Sequence, residues 1–151
     1  MIFRWTHIML HHSLTEDGQT VSWQAIRRWH TGEHPDSPYR ARPMRDIGYH
    51  FGVELVGQEH EILMGRPLDL AGAHCRAANA FALGVCLVGN FDLARPAPGQ
   101  WRKALDLVRG LLLALDIPAR NVLGHCDFDP KSCPGKLFDL NRFRQEIYAG
   151  Q

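Results

Sequence analysis

The chain has no excess of either charge: 17 lysines and arginines stand against 16 aspartates and glutamates, a formal +1 over 151 residues. That balance excludes the basic footprint of a nucleic-acid binder and the polybasic face of a membrane-surface protein, so partners are expected in a pocket. No apolar run reaches membrane-spanning length, and no membrane insertion is expected. The opening MIFRWTHIMLHHS lacks a basic segment followed by a long apolar run and a small-residue cleavage site. The expectation is cytoplasmic synthesis without a signal peptide. Cysteine is sparse, at positions Cys75, Cys86, Cys126 and Cys133. In a reducing compartment cysteines are more often free, metal-bound or catalytic than paired. No Cys-x-x-Cys spacing is there to depress a thiol pKa, which argues against a redox function. Repeats, low-complexity tracts and internal linkers are also lacking. With 45% hydrophobic content the expectation is one domain, 1–151, with a sizeable core.

What is present reads as strands mixed with helices. Ile8 to His12 is a short apolar run of strand type, followed by a Ser-Leu-Thr-Glu-Asp-Gly loop. Ser22 suits the N-cap of a helix over Trp23 to His30, in which Trp23, Ile26 and His30 recur at helical spacing and are assigned to the core. Gly32 to Asp46 is a loop carrying Pro35, Pro38 and Pro43 with Arg40, Arg42 and Arg45 interspersed. Those guanidiniums are either solvated or clamp a carboxylate near a cleft. Gly48 to Leu55 and Glu59 to Met64 predict two strands joined at Val56-Gly57-Gln58, with Tyr49 and His50 opening the first. Ala82 to Val88 is continuous enough for a strand buried on both faces, which puts Cys86 in the core. Gln100 to Leu115 predicts the longest helix, started by Pro98 or Gly99. Its apolar face is Trp101, Leu105, Val108, Leu112 and Leu115, and Ile117-Pro118 stops it. Asn121 to Leu123 fits a last short strand and Leu140 to Tyr148 a closing helix. This order predicts an α/β fold, a single domain with a central mixed β-sheet flanked by helices.

The chemistry concentrates in Gly124 to Gly135, GHCDFDPKSCPG. His125 and Cys133 are too far apart for one helical turn and have Pro130 between them, so they belong to a loop that can fold both onto one ion. Zinc suits imidazole with thiolate, and its catalytic sites use three protein ligands and keep a position open for water. The third ligand must come from elsewhere. The bland alternative is a surface histidine and a small buried cysteine. His11 and His12 end the first strand, where successive side chains face opposite ways, so only one of them can face a given site. Spacing does not choose between them.

Five stretches in order, MLHHS, DIGYHF, MGRPLDLAGAH with Asn79, LGVCLVGNFD and GHCDFDPKSCPG, resemble one family. It is the zinc amidases of the bacteriophage-lysozyme and peptidoglycan-recognition-protein type, which are N-acetylmuramoyl-L-alanine amidases. The resemblance implies a metal centre of His11, His125 and Cys133 holding one Zn2+ per chain, and so selects His11 over His12. It implies Tyr49 and Lys131 as catalytic residues and His74 and Asn79 as residues of the substrate groove. Ala78 stands where relatives commonly carry a bulkier side chain, and the Arg-rich loop before Asp46 is longer than in the phage enzymes. The implied reaction is hydrolysis of the amide between N-acetylmuramic acid and L-alanine of peptidoglycan, which parts the stem peptide from the glycan strand. The implied setting is a phage or prophage endolysin, monomeric, that reaches the wall through a pore made by a separate protein. Two alternatives lie within the same family. One is a cytosolic amidase recycling anhydromuramyl peptides, whose members generally have aspartate where Cys133 stands. The other is a non-catalytic peptidoglycan-binding module, whose members replace the cysteine. Neither nucleic acid nor membrane is an expected partner.

Overall fold

In the computed structural model, residues 4–16 and 22–149 are described. The first strand, β1 (His7–His12), is followed by α1 (Trp23–His30), β2 (Phe51–Val56), β3 (Glu59–Met64), β4 (Ala82–Leu87), α2 (Pro98–Leu115), β5 (Val122–Gly124) and α3 (Leu140–Ala149). Among the described residues the strands form one mixed sheet in the order β3-β2-β4-β1-β5. β1 runs parallel to β4 and β5, β2 runs parallel to β4, and β2 and β3 are antiparallel. The loop expected from Ser13 to Gly18 is described as far as Glu16.

Side-chain alternation sorts β1 between two faces. Ile8 and Leu10 join the main core with Leu83, Val85, Leu87 and the buried faces of α2 and α3, while Met9 packs on the other face with Cys75, Ala78 and Ala82. β4 is buried along its whole length, as its unbroken apolar run predicts, and Cys86 is fully enclosed. Each fully buried leucine or isoleucine contributes about 1.5–3 kcal/mol, so the α2 face of Leu105, Val108 and Leu112 is what clamps that helix to the sheet. Pro98 begins α2 where its missing N–H costs no hydrogen bond. Asp116 ends the helix in the left-handed conformation at φ 53°. Ser22 caps α1 by accepting the Ala25 N–H at 3.2 Å.

β2 starts at Phe51, later than its composition suggests. The Gly48 N–H is taken by His30 Nδ1 at 2.9 Å, while the Tyr49 carbonyl accepts the Arg66 N–H at 2.8 Å and the His50 N–H donates to the Gly84 carbonyl at 2.9 Å. α1 lies across the opposite sheet face from α2, with Trp23 seated directly on Gly52 and its indole N–H donated to the Met64 carbonyl at 2.9 Å. A Cβ at position 52 would fall 2.5 Å from the Trp23 ring, which cannot yield without moving α1. Gly52→Ala is therefore expected to destabilise the fold by about 1–3 kcal/mol, measured as a lower urea midpoint at unchanged m value. An unchanged midpoint would mean that α1 is free to shift.

Candidate metal centre

The β1–β5 register pairs Leu10 with Gly124, so the next residue along each chain, His11 in β1 and His125 just past β5, stands beside the other at the carboxyl ends of two parallel strands. Their ring centroids are 4.8 Å apart. Clefts of open α/β sheets form at this end of the strands, because the loops there diverge. The chain after β5 makes a single tight turn at His125–Asp127, and the Phe128 N–H returns to the His125 carbonyl at 3.0 Å. It is then drawn back, the Cys126 N–H donating to the Cys133 carbonyl at 2.7 Å. This closure sets Cys133 Sγ 3.5 Å from His11 Nδ1. One donor atom from each of His11, His125 and Cys133 lies within 4.8 Å of the other two, and all three residues are buried. His12 faces away: its Nδ1 accepts the Phe91 N–H at 3.1 Å, and its Nε2 has no hydrogen-bond partner among the described residues. Strand parity thus decides between the two histidines.

Burial governs the charge state of the donors. It holds the His11 pKa well below the usual imidazole value, helped by His74 and His125, so the ring is neutral with a lone pair to offer. It pushes the Cys133 thiol up to about 12, against the pull of the His12 backbone N–H. A buried thiol of this kind stays protonated unless a cation takes the place of the proton. Two imidazoles and such a thiol form a donor set for a borderline-soft divalent ion. A second grouping, Cys75, His125 and Asp129, shares His125 and also has donors within 4.8 Å of one another.

The other expected site residues take distinct places. The Tyr49 ring lies 5.2 Å from that of His11 and stacks on Trp23. Burial, and then the Cys86 and Cys133 thiols beside it, raise its hydroxyl pKa well above the ordinary phenol value. Lys131 is exposed and its Nζ is 3.4 Å from Asp129 Oδ2. His74 lies against His11, with Nδ1 3.0 Å from His11 Nε2. Asn79 accepts the His74 and Cys75 backbone N–H groups on Oδ1, both at 2.9 Å, and so ties the turn that carries His74. The loop arginines Arg40, Arg42 and Arg45 are exposed. The clamps are elsewhere: Arg27 holds Asp46 through two bonds of 2.6 Å, and Arg66 donates to the carbonyls of Asp46, Ile47 and Ala71. Both brace the approach to Tyr49, and the sequence reading identified neither. His30, assigned to the core, instead lines a cavity of about 410 Å3 together with Ile26, Trp29, Pro38, Tyr39 and Tyr49.

Comparison with known proteins gives the family. The family model described as N-acetylmuramoyl-L-alanine amidase matches residues 3–136, from β1 past Cys133. The endolysin of Klebsiella phage KP32 is 30% identical over 141 residues, covering 91% of this chain and 84% of that protein. The endolysin of Escherichia phage T7 is 30% identical over 139 residues, covering 90% and 83%. Among solved structures, the endolysin N-acetylmuramoyl-L-alanine amidase LysCS from Clostridium intestinale superposes with a TM-score of 0.80 at 27% identity, covering 97% of this chain and 85% of that one. With the family model matching most of the chain and both the fold and about nine-tenths of the chain shared with such enzymes, the chain belongs to the N-acetylmuramoyl-L-alanine amidase family.

Proposed function

We propose that this amidase is zinc-dependent, with the ion held by His11, His125 and Cys133. The observation that carries the reading is the convergence of two imidazoles and one thiol, all buried, at the ends of β1 and β5. When bound, zinc supplies Lewis acidity and a water acidified toward neutral pH. The residues around it do the rest. Tyr49 keeps its proton at neutral pH, so its hydroxyl is a donor that orients the water or the substrate carbonyl. Lys131 brings a mobile positive charge to the outer rim, where the carbonyl oxygen becomes anionic in the transition state. The stretch carrying His74 and Asn79 walls the site beside His11. The cavity beyond Tyr49 is the space for a group flanking the scissile amide.

In the reaction the amide C–N bond breaks and water adds across it. The lactyl group of N-acetylmuramic acid leaves as a carboxylate and L-alanine as a free amine. All three donors come from one chain, so a monomer suffices. The partner is peptidoglycan, both glycan strand and stem peptide, and the likeness to phage endolysins favours action on intact wall, reached through a separate pore protein. Cys133 speaks against the recycling and binding-module alternatives.

Digestion of purified wall should yield new amino termini on alanine and no new reducing sugars, and metal analysis should give one zinc per chain. Chelation should abolish hydrolysis while the circular dichroism spectrum stays close to native, because the core stands without the ion. Full activity in a metal-free sample would rule the zinc reading out. New reducing ends would replace the amidase with a glycosidase.

A further inference from the structure

We propose that His74 and Asp129 are positioning residues of the metal centre: His74 takes the Nε2 proton of His11 and Asp129 that of His125, and so both Nδ1 lone pairs are turned toward the ion. This rests on the zinc reading above.

The argument begins at a backbone carbonyl of β4. His74 Nε2 is 3.2 Å from the Ala82 oxygen. A carbonyl only accepts, so this nitrogen carries the proton and His74 Nδ1 is bare. That bare nitrogen is 3.0 Å from His11 Nε2, which must then donate. His11 Nδ1 is left unprotonated, and it is the atom 3.5 Å from Cys133 Sγ. One carbonyl thus sets two tautomers in series.

The His74 ring has no freedom to do otherwise. It occupies a slot made by two glycines: a Cβ on Gly84 would come within 2.5 Å of it and one on Gly72 within 2.4 Å. Gly84 pairs with Met9 and Cys86 with His11, so the slot opens on the sheet face that carries His11. Asn79 fixes the backbone behind the ring.

On the other ligand the device is local. The turn after β5 brings the Asp129 N–H to the His125 carbonyl at 3.1 Å and lays the Asp129 carboxylate over the ring, with Oδ2 2.7 Å from His125 Nε2. A carboxylate oxygen accepts, so Nε2 carries the proton and Nδ1 is free. Lys131 Nζ reaches the same oxygen at 3.4 Å. Partners of this kind orient ligand rings and strengthen them as donors, and their loss costs about 10- to 100-fold in metal affinity.

Zinc dissociation constants, measured by competition with a chromophoric chelator, test this without using activity. His74→Ala and Asp129→Ala should each bind about 10- to 100-fold more weakly than wild type. His74→Gln and Asp129→Asn, whose amide oxygens can still accept the proton, should recover most of that loss. Nitrogen-15 imidazole spectra of the metal-free wild type should show His11 and His125 protonated on Nε2, and in the zinc-loaded protein both should ligate through Nδ1. If the His74→Ala slot collapses and the protein unfolds, the wild-type tautomers decide. Alanine variants that hold zinc as tightly as wild type overturn the inference but leave the metal centre standing. Ligation of His125 through Nε2, as the Cys75–Asp129 grouping would require, also overturns it. A wild type that binds no zinc overturns both the inference and the reading beneath it.

Discussion

Cys133→Ser is expected to release stem peptides from purified wall at least about 100-fold more slowly than wild type, with zinc lost to a mild chelator, since losing a ligand costs no less than losing a ligand's partner. Serine keeps the volume and the backbone bond from Cys126, so the loop from His125 to Cys133 should still close. What changes is the donor. Burial pushes the Cys133 thiol up to about 12, but a bound cation can take the place of its proton and leave a thiolate, whereas a neutral hydroxyl is a far poorer ligand. His11 and His125 alone leave the ion two ligands. The cavity beyond Tyr49 is built from α1, the loop that follows it and the Ser13–Thr15 stretch after β1, with no part of the Cys133 loop, so wall binding in a pull-down should persist in the variant. Release of peptides at the wild-type rate would remove Cys133 from the ligand set. A wild type that binds wall without ever cutting it would instead make the protein a binding module.

The proposed metal donors were legible because their types are rare and their spacing is local to two motifs. His125 and Cys133 lie on one short loop, and the MLHHS stretch offers only two candidates for the third. Spacing alone left His11 and His12 tied; the resemblance chose His11, and the β1–β5 register, which local sequence does not carry, is what sets His11 beside His125. The pairing of His11 with His74 spans 63 positions and depends on a slot between Gly72 and Gly84. A glycine within the apolar run ALGVCL was its only trace, and such a glycine signals close approach without saying of what. Asp129 was visible in the loop, but a four-residue separation becomes a contact only if the chain turns helically after His125, and Pro130 argued for an irregular loop. The helices were read nearly to the residue because capping by Ser22 and Pro98 is a local device. The start of β2 was not: it falls at Phe51, and the Gly48 N–H ahead of it goes to a side chain distant in sequence, His30.

Tyr49→Phe is expected to lower kcat by about 10²-fold, in the range found for losing one donor or general acid, with zinc content unchanged. The phenol is the one polar group of its ring, and the ring is held independently of it: stacked on Trp23, 5.5 Å from His30 and 5.2 Å from His11. Phenylalanine should therefore fill the same space and leave the ligands where they are. Because burial raises the hydroxyl pKa well above the phenol value, Tyr49 acts at neutral pH as a donor and not as a phenolate base. A donor aimed at charge that develops in the transition state changes kcat more than KM. Lys131→Ala should follow the same pattern with a smaller loss, since its ammonium is exposed and partly screened, and it also frees Asp129 from one of its two partners. Kinetics on a soluble muramyl-peptide, run beside metal analysis of each variant, separate the roles. A fall in zinc content in Tyr49→Phe would make Tyr49 a support of the metal centre, and an unchanged kcat would take it out of the reaction.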